Sequence, residues 1–144
     1  MTDFPHQYAT RSTATPEGPV SIESEGLPTL ATGPPRAFGG SGDLWSPETL
    51  LVAAVADCFV LSFRAIARAS RFEWLGLDCR AQGTLDRVER TTRFTELVVQ
   101  ATLRVAAGTD DAKARRLLEK AERACLITNS LSAPCRLEAE VVAE

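Results

Sequence analysis

The stretch from Ser46 to about Ser70 constrains this chain more than any other. Ser46 is a natural N-cap, Pro47 takes the first helical position where its missing N–H costs nothing, and Glu48 complements the positive helix pole. Trp45 and Leu50 occupy the two positions of a hydrophobic staple. Leu51, Ala54, Val55, Cys58 and Leu61 then recur along one face, which predicts an amphipathic helix with Cys58 on its inner stripe. Arg64 and Arg68 suit the negative end of that helix and its solvated side.

A second helix is predicted from Thr109 to near Ile127, with Ala114, Leu118, Ala121 and Cys125 on its apolar face. Two such helices packed face to face would leave two thiols in one apolar setting, the geometry of a redox pair. The most apolar run, Leu50 to Phe63, covers about 14 residues with Asp57 inside it, too short for a bilayer. It reads as a buried central helix, and no membrane association is expected.

Strands fill the rest. Odd positions from Leu75 to Leu85 are apolar or small while the even ones are mostly polar, and Leu97 to Val105 alternates in the same way. Arg87 to Thr92 is a polar connection, so the two read as a hairpin. Cys135, Leu137, Ala139 and Val141 mark a half-buried C-terminal strand. Cys79 and Cys135 therefore read as core residues, since free cysteine behaves as a small buried hydrophobe. Short strands are expected around Tyr8–Thr13, Val20–Ser24 and Leu27–Ala31, separated by turn residues. Three strands, a long helix, a hairpin, a second helix and a last strand define an α+β fold with helices on an antiparallel sheet. Residues 1–144 read as a single domain.

Charge and residue usage narrow the function. A formal net charge of −3 gives no basic surface for nucleic acid. The first residues show neither the basic nor the apolar region of a secretory signal, so a cytoplasmic, reducing location is expected. The single histidine, His6, and the dispersed cysteines lack metal-ligand spacing, so neither metal nor cofactor is expected. No Cys-x-x-Cys motif is present, which counts against a general thiol–disulfide exchanger.

The loop from Thr32 to Leu44, rich in glycine and proline, leads into the Cys58 helix. A thiol that reduces a peroxide must ionise, and an apolar stripe alone would keep Cys58 protonated. An arginine from elsewhere is needed, and Arg36 in this loop is the natural candidate. Cys125, placed at the C-terminal end of its helix, would be disfavoured as a thiolate by the dipole, which makes Cys58 the attacker and Cys125 the resolver. Glu48 precedes Cys58 by ten residues, about 15 Å along one helix, too far to touch it in the same chain. A role at that thiol would require a second subunit; the other reading of Glu48 is a first-turn acid that steadies its own helix.

Pro34-Pro35-Arg36-Ala37-Phe38-Gly39-Gly40, Trp45-Ser46-Pro47-Glu48, Asp57-Cys58-Phe59 and Cys125-Leu126-Ile127-Thr128-Asn129-Ser130 together resemble the OsmC/Ohr family, the osmotically inducible and organic hydroperoxide resistance proteins. The resemblance runs from about Tyr8 to Val142. It implies an intertwined homodimer with sheet wrapped around central helices, and cysteine-based reduction of organic hydroperoxides. It also implies that Cys58 is peroxidatic and Cys125 resolving, that Glu48 steadies a catalytic arginine, and that a lipoyl-type dithiol is the reductant. Arg36 and Arg11 compete for the arginine role, with Arg36 in the region that the OsmC branch uses. Leu126 departs from the proline that often follows the second cysteine in the hydroperoxide-resistance branch. The competing expectation is a non-catalytic homodimer that holds an apolar ligand in an interface pocket lined by Phe38, Trp45, Phe59 and Phe63.

Overall fold

The structure, a computed structural model, describes residues 3–144. The chain forms two compact units, residues 1–50 and 51–144. The first unit holds an antiparallel sheet of β1 (Arg11–Thr13), β2 (Val20–Glu23) and β3 (Leu30–Thr32). The third strand begins later than the expected Leu27, because Gly26 lies at φ 77° and a turn bond runs from the Leu27 amide to the Ser24 carbonyl. A single 3₁₀ turn follows at Arg36–Phe38, and Thr32 bridges to Trp45.

Helix α1 runs from Pro47 to Ala69. Its start is tied reciprocally: the Thr49 amide donates to Ser46 Oγ at 3.1 Å and the Ser46 amide donates to Thr49 Oγ1 at 2.9 Å. That is the capping-box arrangement with threonine in the usual glutamate place.

In the second unit the rest of α1 packs on a sheet ordered β4 (Gly76–Val88), β5 (Thr91–Val105), β6 (Cys135–Ala143). The hairpin strands extend through most of the expected connection, leaving Glu89 and Arg90 as the turn, both at positive φ. That two-residue geometry matches the twist of the paired strands. A bulge at Thr84/Leu85 shifts the register. Strand β6 pairs parallel to β5, against the antiparallel expectation. The reason is topological: a helix between two strands of one sheet returns the chain to the end where it started.

The core corrects the expected face of α1. Its buried residues are Val55, Phe59, Phe63 and Ala67, while Leu61 is 50% exposed. The helix has turned its aromatic side inward, because Phe59 and Phe63 fill the space above Leu97, Val99 and Leu103, and Phe63 meets Trp74 edge to face at 5.3 Å. The helix also outlasts the 14-residue run noted above: at 23 residues it is long and apolar enough to cross a membrane by length and composition. Only 22% of its most apolar window is buried in this chain.

The second helix is two helices. Helix α2 (Asp111–Ala124) is capped by Asp110, which accepts from the Lys113 amide at 3.1 Å, and a single turn, α3, covers Leu126–Asn129. Between them Cys125 takes an extended backbone, φ −64° and ψ 106°. The break is sustained by side chains beyond it: Asn129 donates to the Arg123 carbonyl and Thr128 to the Cys125 carbonyl. The expected stripe of α2 is buried as read, with Leu117 added.

Candidate functional site

Cys58 and Cys125 meet. Cys58 lies in the middle of α1, partly buried beside the Val55/Phe59 stripe, and Cys125 is 2% exposed at the joint of α2 and α3. The Cys58 side chain stands within hydrogen-bonding reach of the Cys125 sulfur and helps to lower its pKa. Both cysteines are free thiols, as are Cys79 and Cys135. On its other side Cys58 Sγ lies 4.0 Å from the hydroxyl of Ser62, one turn along α1.

The joint between α2 and α3 decides the electrostatics of Cys125. Burial raises its pKa, but hydrogen bonding from the Thr128 hydroxyl and amide, the Cys58 thiol and the Ile127 amide outweighs burial, and the net direction is down. These contacts to sulfur fall short of a regular N-cap hydrogen bond. The sequence reading had placed Cys125 at the negative end of an unbroken helix, disfavoured as a thiolate. The break at Cys125 overturns that local argument, because the residue now precedes a turn whose amide hydrogens face it.

The other two thiols are pushed the opposite way. Burial, then Asp78 and the neighbouring Cys125 and Cys135, raise Cys79 to about 11. Burial, Glu122 and Cys125 raise Cys135. Both pack half-buried against the core, as their strand positions predicted.

Glu48 and Arg36 belong to the first unit. Glu48 Oε1 is buried and has no hydrogen-bond partner among the described residues. It borders a cavity of about 380 Å³ whose walls include Val20, Ile22, Pro34, Pro35 and Phe38. Arg36 is exposed and donates through Nε to the Ser41 carbonyl at 3.3 Å. Its side chain lies along Gly42, whose φ of 83° favours glycine. Among the described residues no ion pair joins Arg36 to Glu48. Arg11, the alternative, is exposed on β1.

The aromatic lining expected for a ligand pocket is corrected in part. Phe59 and Phe63 are closed inside the core of the second unit, while Phe38 and Trp45 are 58% and 51% exposed. Among the described residues no three His, Cys, Asp or Glu side chains gather as a metal site. Ser62 and Thr128 escaped the sequence reading. The i, i+4 spacing from Cys58 could have signalled Ser62, whereas Thr128 depends on a helix break that the periodicity conceals.

The OsmC-like protein family matches residues 40–140, and the chain belongs to that family. The uncharacterized protein YmaD of Bacillus subtilis (strain 168) is 26% identical over 109 residues, covering 74% of this chain and 73% of that protein. An OsmC-like protein of unknown function from Vibrio cholerae aligns with a TM-score of 0.84 at 18% identity, covering 94% of this chain and 99% of that one. An organic hydroperoxide resistance protein from Elizabethkingia anophelis aligns with a TM-score of 0.79 at 18% identity, covering 99% and 100%. At these identities the structures speak for the fold, which is that of the OsmC proteins.

Proposed function

We propose that the protein is a thiol peroxidase that reduces organic hydroperoxides to alcohols. The observation that carries this reading is the meeting of two free thiols, Cys58 and Cys125, in a largely apolar setting. The Cys58 thiolate attacks the O–O bond, the alkoxide leaves as alcohol after protonation, and Cys58 becomes a sulfenic acid. Cys125 then attacks Cys58 Sγ, giving a disulfide and water. A dithiol, in the family a lipoyl-type one, returns both residues to thiols.

In this reading the protein acts as a cytoplasmic homodimer of single 1–144 domains. The support for a second subunit is α1 itself, an apolar helix of which this chain buries only a part. Glu48 starts the same helix as Cys58 and stands about 15 Å from it along the axis, so its carboxylate serves a thiol only across subunits. There it would steady an arginine, Arg36 in preference to Arg11, beside the thiolate. The unpartnered Oε1 of Glu48 supports that assignment, since a buried carboxylate oxygen calls for a donor. The cavity beside Glu48 offers an apolar seat for the organic half of a hydroperoxide.

The deciding experiment follows peroxide consumption by the reduced protein with a recycling dithiol, comparing tert-butyl hydroperoxide with hydrogen peroxide and wild type with Cys58→Ser. Turnover that favours the organic peroxide and disappears in the variant is expected, with a Cys58–Cys125 disulfide seen by mass spectrometry. Consumption no faster than the dithiol alone would move the weight to a non-catalytic dimer that binds an apolar ligand beside Glu48.

A further inference from the structure

Ser62 follows Cys58 by four residues on α1, so the two side chains share one face of the helix. A serine inside a helix commonly turns its hydroxyl back to the carbonyl four residues earlier. The described partner of the Ser62 hydroxyl is instead the Cys58 sulfur, at 4.0 Å, and both groups are partly buried. The hydroxyl can donate to that sulfur or accept from the thiol, and once Cys58 has lost its proton the hydroxyl is the donor and the sulfur the acceptor.

That contact has a use once Cys58 is oxidised. We propose that Ser62 is a positioning residue for Cys58, holding its sulfur toward Cys125 and hydrogen-bonding the oxygen of the Cys58 sulfenic acid as the disulfide closes. The proposal rests on the peroxidase reading above and adds a residue to its second step. In that step the Cys125 thiolate attacks Cys58 Sγ, the S–S bond forms and the S–O bond breaks. The Cys125 sulfur is oxidised, the sulfenic sulfur is reduced, and the departing hydroxide takes a proton from solvent to leave as water. An oxygen carried on Cys58 Sγ comes within reach of a hydroxyl that stands 4.0 Å from that sulfur. A hydroxyl donor there favours the departing charge and holds the sulfenate in line for attack.

The test uses the full-length reduced protein as wild type, Ser62→Ala and Ser62→Thr, mixed rapidly with equimolar tert-butyl hydroperoxide. Peroxide loss, dimedone-trapped Cys58 sulfenic acid and the Cys58–Cys125 disulfide are followed separately by mass spectrometry, with circular dichroism as the folding control. Ser62→Ala should slow the conversion of sulfenic acid to disulfide roughly tenfold, as for one lost hydrogen bond, by more than it slows peroxide loss, and raise the trapped fraction. Ser62→Thr, which keeps the hydroxyl, should restore closure. Closure at the wild-type rate in Ser62→Ala, or failure of Ser62→Thr to restore it in a folded protein, overturns the role of Ser62 and leaves the peroxidase reading standing. A wild type that forms neither sulfenic acid nor disulfide overturns the peroxidase reading and the proposal with it.

Discussion

Cys58, in the middle of α1, and Cys125, at the joint of α2 and α3, stand within hydrogen-bonding reach of each other. The backbone at Cys125 sets the electrostatics of that sulfur, because α2 stops and α3 begins there and the amides of Ile127 and Thr128 face it. Hydrogen bonding to the Cys125 sulfur outweighs burial and lowers its pKa. In the proposed reaction Cys125 is therefore well placed to carry charge when it attacks the oxidised Cys58.

Cys125 should therefore ionise below the ordinary thiol range. Ultraviolet thiolate absorbance during a pH titration, wild type against Cys125→Ala, reports the difference. Thr128→Val removes the hydroxyl that favours the anion and should move the titration upward. The linkage sign follows. A depressed folded pKa contributes stability above the unfolded thiol pKa, and that contribution is lost as pH falls through the folded value. An unchanged titration in Thr128→Val would remove the hydroxyl from the account.

Cys79 predicts the opposite behaviour at alkaline pH. Its pKa, raised to about 11, keeps the folded thiol neutral where the unfolded thiol has already lost its proton. Stability should fall as pH rises from about 9 toward 11, because the native state binds the extra proton. Urea unfolding at a series of pH values, repeated with Cys79→Ala, measures this. The variant should show a flatter alkaline decline; the same slope in both would assign the loss to other groups.

The uncovered side of α1 yields a prediction about assembly. Leu61 is half exposed on a helix whose buried stripe is Val55, Phe59, Phe63 and Ala67. If a second copy covers that side, Leu61→Glu places a charge in an apolar contact at a cost of several kcal/mol. Sedimentation should give a dimer for wild type and a shift toward monomer for the variant at micromolar concentration. A monomeric wild type would remove the support for a site shared between subunits.

The sequence carried the element order because its signals were local. Ser46-Pro47-Glu48 fixed the start of α1, and period-two alternation placed Cys79 and Cys135 on strands that face the core. What it could not carry was decided by competition between faces. Leu51 to Leu61 and Val55 to Ala67 are both apolar stripes of one helix, and only packing against Leu97, Val99 and Leu103 selects the second. The break at Cys125 was hidden for a related reason. Leu126 and Ile127 continue the apolar character, while the groups that sustain the break, Thr128 and Asn129, act backward from beyond it. The two thiols could be paired from helix periodicity, but the lowered pKa of Cys125 could not, because it depends on that break.

Glu48 separates two accounts of its own role. As a first-turn acid it is worth about 0.3–1 kcal/mol to α1, and Glu48→Gln would cost no more than that in stability. As the carboxylate that steadies a catalytic arginine it makes a charge-assisted hydrogen bond, worth about 1.5–3 kcal/mol, so that Glu48→Gln should lower peroxide turnover at least roughly tenfold. The two effects are read independently, stability by urea unfolding and turnover with tert-butyl hydroperoxide. Its buried Oε1 makes the second outcome the expected one, with stability little changed because that oxygen has no hydrogen-bond partner among the described residues to lose. Arg36→Ala should reproduce the loss, and Glu48→Gln added to it should cost little more, since two residues that act as one unit do not add. Full activity in Glu48→Gln would return this carboxylate to the helix dipole and remove Arg36 from the site along with it.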